Sequence, residues 1–229
     1  MRNPVVIAAV AVWPLLGLMT GSMLSSTVAP LTVVLNFEQT RFSSVALRAM
    51  QAEAETILRN SGLQLSWTLA RDLSQRSDLG DLIVFKLKGR CEMDAFPVIP
   101  DELGVSLAMT HASDGEILSF GEVDCDRVQR LIKRTIPASG YAKGDLLLGR
   151  ALGRVVAHEM YHILSRSRTH AGAGVTRECL SARDLTGERL SFSEESLQAI
   201  RLQIGLVKTT KGSAGRTVPG EALPPVTLP

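Results

Sequence analysis

Three of the chain's four histidines, His158, His162 and His170, fall within thirteen residues, and Glu159 directly follows the first. Histidines four apart on a helix stand one turn above each other, so both imidazoles can reach one ion at about 2.0–2.1 Å. Glu159 is offset in angle from that pair, which suits a carboxylate that takes a proton from water better than one that ligates a metal. A hydrolytic zinc site keeps three protein ligands and one open position. His170, across the polar stretch SRSRT, is the favoured third ligand, with Glu178 as the alternative and Asp184, Glu188, Glu194 and Glu195 behind it. In such a site Glu159 acts as general base toward the attacking water and then passes the proton to the leaving amine. Two competing readings stand beside this one. The histidines are packed or solvated without metal, or they hold metal in a secreted metal-binding or interaction domain without turnover.

The elements that must position these residues are read from periodicity and breakers. LTVVLNFE, 31–38, reads as a strand, and 43–59 as a helix whose apolar residues recur at helical spacing, capped by Ser43 or Ser44 and stopped by Gly62. LQLSWTL (63–69) and DLIVFKLKG (81–89) read as strands, and 104–123 as a hairpin around Asp114-Gly115. Asp124 caps a short helix through about Lys133, and 137–144 is a loop. GDLLLGRALGRVVAHEMYHILSRS is then a long helix with Asp145 as cap, despite Gly149 and Gly153. The Gly-, Thr- and charge-rich segment after it reads as a loop, and a last helix starts from a Ser191–Glu194 capping box. The order implies an α+β fold with one sheet covered by helices.

The chain has 229 residues, enough for one catalytic-sized domain, 31–206, with residues 207–229 having the composition of a disordered tail. Its 25 basic and 23 acidic side chains leave no surplus of the kind nucleic acid demands. Residues 1–26 carry one positive charge at Arg2, then an apolar run and small polar residues, the order of a signal peptide, or of an N-terminal anchor if uncleaved. Contact with a membrane is expected only in the second case, and the folded part is expected to be secreted or periplasmic. In that oxidising setting Cys91 and Cys125 are the preferred disulfide pair, with Cys179 left over.

HEMYH, His158 to His162, resembles the motif of the zincin metallopeptidases, in which an HExxH helix lies beneath a mixed sheet whose edge strand aligns the peptide substrate. The resemblance implies a zincin-like fold with the motif on a long central helix, one Zn2+ per chain, a peptide or protein substrate, and an aligning edge strand near 105–109. It also raises a tyrosine, Tyr161 or Tyr141, as a donor to the oxyanion, against plain packing of Tyr161. With His170 as ligand the site resembles that of metzincins, although Ser165 and Arg168 occupy the positions of their glycine and third histidine, and no methionine follows Met160. Resemblance to gluzincins promotes Glu178 instead. His111 is read as a loop histidine, and Arg166 and Arg168 as solvated unless an acidic residue or a substrate carboxylate meets them.

Overall fold

The computed structural model describes residues 30–38, 42–75, 81–93, 106–136 and 143–205. The expected leader, the tail, Tyr141 and most of the 137–144 loop lie outside them. One five-stranded sheet organises the chain: β1 (Leu31–Phe37), β2 (Leu65–Leu69), β3 (Leu82–Lys88), β4 (Ala108–Ser113) and β5 (Glu116–Asp124), in the order β2-β1-β3-β5-β4. The first three pairings are parallel and only β4 runs antiparallel, against β5. The sheet is therefore mixed, with β4 at its edge. Leu31 to Leu35 are buried on both faces, which explains why β1 reads as an apolar run without alternation, whereas β3 alternates. Asp114 and Gly115 both adopt positive φ, the turn that suits a two-residue hairpin.

Helices α1 (Ser44–Leu58), α2 (Cys125–Lys133), α3 (Gly144–Ser165), α4 (Ala182–Thr186) and α5 (Glu194–Gln203) complete the fold. α1 and α3 pack together, and the glycines of α3 allow the approach. A Cβ on Gly149 would stand 2.4 Å from the Ala46 carbonyl oxygen, and one on Gly153 would stand 2.6 Å from that of Met50. The helix forms because of these glycines as much as despite them, since burial against α1 outweighs their propensity cost of about 1 kcal/mol each. Arg154, one turn before His158, is fully buried. Its Nε donates to Glu53 of α1 at 2.7 Å, and its terminal nitrogens donate to the carbonyls of Asp184 and Gly187.

Three local expectations need correction. Asp145 does not cap α3. Lys143 precedes the helix, and Asp145 instead accepts from the Met93 backbone N–H at 2.7 Å. α5 is capped by Ser193 and not Ser191, because Phe192 is buried and the helix can begin only after it. The segment after α3 is not all loop, since a Ser181–Asp184 capping box starts α4 within it. The preferred cysteine pair, Cys91 and Cys125, is bridged, and Cys179 is free and exposed. Among the described residues no helix is long and apolar enough to cross a membrane.

Candidate metal centre

The last two turns of α3 carry His158, Glu159 and His162, and the chain leaves the helix through Arg166 in a left-handed conformation. The loop that follows brings His170 back over the helix. Its ring centroid lies 5.2 Å from that of His158 and 4.8 Å from that of His162. One ligand atom from each of the three histidines lies no farther than 4.8 Å from the others.

Each helix imidazole uses one nitrogen to hold this loop. His158 Nδ1 bonds the Val175 carbonyl at 2.8 Å and His162 Nδ1 bonds the Ser167 carbonyl at 2.7 Å. A carbonyl only accepts, so both Nδ1 atoms must carry the proton and both neutral rings present a bare Nε2. Those two Nε2 atoms face each other at 3.1 Å. Two acceptors at that distance repel unless a cation lies beside them. A proton is disfavoured, because burial holds both imidazoles below their ordinary range, against the pull of their carbonyl bonds. A divalent ion fits. Two nitrogens at about 2.0–2.1 Å from one tetrahedral zinc are roughly 3.3 Å apart, close to the observed spacing. His170 is exposed, and its ligand atom lies within 4.8 Å of the other two. Three imidazoles form a donor set that zinc accepts.

Glu159 is only 7% exposed. Its Oε2 accepts a hydrogen bond from the Thr110 hydroxyl of β4 at 2.7 Å. Burial raises its carboxyl above the usual range, opposed by that hydroxyl and by the neighbouring imidazoles. A cleft of about 510 Å³ opens between the two elements. Ala108, Thr110 and Ala112 of β4 form one wall, and His158, Glu159, His162 and His170 lie opposite. Arg168 and Glu178 also line it.

The other candidates separate cleanly. Glu178 faces the cleft without joining the histidine cluster, while Asp184 is tied to Ser181 and Arg177, and Glu194 to Arg201. Glu188 and Glu195 are exposed and outside the cleft lining. Tyr161 is buried against His162 and Phe192, which agrees with packing. His111 lies on β4 and not in a loop, its ring on Phe120 and its Nε2 3.8 Å from Glu122. Arg166 meets Glu116 at 3.9 Å. Thr110 escaped the sequence reading, since a threonine in a strand carries no signal beyond strand propensity. The two carbonyls that fix the imidazole tautomers are backbone atoms, which no residue letter reports.

No family model and no curated protein matches the sequence. Among solved structures, the crystal structure of archaemetzincin from Methanopyrus kandleri is similar, at 11% identity and a TM-score of 0.48, over 77% of this chain and 96% of that one. A likeness at that level says nothing of this chain's chemistry, which its own side chains must carry.

Proposed function

We propose that the chain is a zinc-dependent metallopeptidase in which His158, His162 and His170 hold one ion and Glu159 is the general base. The observation that carries this reading is the pair of bare Nε2 atoms, locked by their carbonyl bonds to face each other at 3.1 Å, with a buried carboxylate on the adjoining residue. The bound ion supplies Lewis acidity toward a water and a substrate carbonyl. The chain's own residues do the rest. An extended peptide lies along the edge of β4 that no other described strand covers, where backbone groups can take it as an added strand. Glu159 accepts the water's proton and returns it to the departing amine. It is buried and its carboxyl is bonded to the Thr110 hydroxyl, so the group that takes the proton is held in place for both transfers. The bridged Cys91–Cys125 pair supports the further reading that the enzyme works outside the reducing cytosol.

The test is a pair of measurements on the purified chain. Metal analysis is expected to find one zinc per chain in both the native protein and Glu159→Gln. Hydrolysis of casein or a quenched peptide is expected to fall by about 10²–10⁴-fold in the variant. Equal cleavage by both proteins would place the activity elsewhere, and zinc without cleavage in either would make this a binding domain.

A further inference from the structure

We infer that Thr110 is a positioning residue for Glu159, its hydroxyl fixing the base carboxylate relative to the edge strand. The inference rests on the metallopeptidase reading above. The strand registers place Leu69, Leu35, Phe85, Gly121 and Thr110 in one row across the whole sheet. Leu35 and Phe85 are buried in the core beneath the helices. At Gly121 the Phe85 ring fills the space of a side chain, since a Cβ there would stand 2.6 Å from it. The row is apolar until its last member, and that member ends in a hydroxyl.

Packing does not account for the hydroxyl. Valine has the same shape as threonine, is at least as content in a strand, and would extend the apolar row without a polar atom to satisfy. The hydroxyl is engaged. It donates to Glu159 Oε2 at 2.7 Å, and the Glu159 backbone carbonyl lies 3.3 Å away. Thr110 is also the last residue before the β4–β5 register shifts, between Thr110 and Ala112, and such irregularities re-aim side chains.

The direction of the bond gives it a function. A glutamate on a helix has three torsions to settle, and a bond within α3 would tie the carboxylate only to its own helix. Thr110 ties it to β4 instead. A peptide laid against β4 takes its register from the same strand. One strand therefore sets both where the scissile bond lies and where the base waits for the water's proton.

Thr110→Val and Thr110→Ser separate this role from a structural one, with the native chain and Glu159→Gln assayed beside them. For Thr110→Val we expect kcat to fall roughly 10-fold, the usual consequence of losing a hydrogen bond to a charged group, with KM, zinc content and melting temperature near native values. Thr110→Ser keeps the hydroxyl and is expected to recover most of the lost kcat. A native kcat in Thr110→Val, a loss confined to KM, or a serine variant as slow as the valine one each overturns the proposal while leaving the hydrolase reading intact. A native chain no faster than Glu159→Gln overturns the hydrolase reading, and the role of Thr110 falls with it.

Discussion

His158 and His162 each use both ring nitrogens, one on a loop carbonyl and one toward the cleft, so in the proposed site neither would be only a ligand. The same carbonyl bonds bracket the third histidine, because Ser167 and Val175 lie on either side of His170. This arrangement favours His170 over Glu178 as the third ligand of the proposed site. Glu178 lines the cleft but stands outside the cluster of donor atoms. His170→Ala is therefore expected to weaken zinc binding more than 100-fold, beyond the roughly 10–100-fold typical of losing a group that only orients a ligand. Glu178→Ala is expected to retain zinc. Competition with a chromophoric chelator measures both, and the opposite ranking would move the site to Glu178. The sequence was readable here as far as residue types on one helix face can go. The clustering of His158, His162 and His170 was legible from the spacing of the first two and from the scarcity of histidine elsewhere. Thr110 lies 49 residues from its partner. Pairing at that separation depends on the sheet register, which no local pattern encodes.

α3 shows what periodicity captures and what it misses. Its existence and extent follow from the apolar spacing, yet the reason for its two glycines lies on another helix. Gly149→Ala ought to stabilise an isolated helix by about 1 kcal/mol. In this fold the added carbon would meet backbone at 2.4 Å, and overpacking of that kind costs about 1–3 kcal/mol. The expected outcome is a lower melting temperature. Gly172→Ala is the control, because that glycine has ordinary φ and no atom within 4 Å of the added carbon. It should be neutral or gain up to about 1 kcal/mol. The displaced cap of α5 has a similar origin. Ser191 and Ser193 are equally good caps by type, and burial of Phe192 with Leu197, the arrangement of a hydrophobic staple, selects the second.

At the scale of the molecule, the strand order along the chain was legible because each strand has its own pattern and bounding turn residues. The order in the sheet was not, since parallel neighbours meet only through crossovers. The Cys91–Cys125 bridge spans 34 residues and encloses the β4–β5 hairpin, and with it the wall that faces Glu159. Closing a loop of that length is worth about 3–4 kcal/mol. A Cys91→Ala, Cys125→Ala double variant is expected to lose that much in denaturant unfolding, and an unchanged midpoint would show the bridge to be idle. Arg154 spans farther still. Its guanidinium, wholly removed from water, is matched by Glu53 in the first third of the described chain and by carbonyls at Asp184 and Gly187 near its end. During synthesis the chain emerges from its N-terminus. Without the segment that ends at Gly187, seating α3 against α1 would bury a charge with two of its three partners missing. The buried cation thus makes the seating of the helix that carries His158 depend on carbonyls 30 and 33 residues further along the chain.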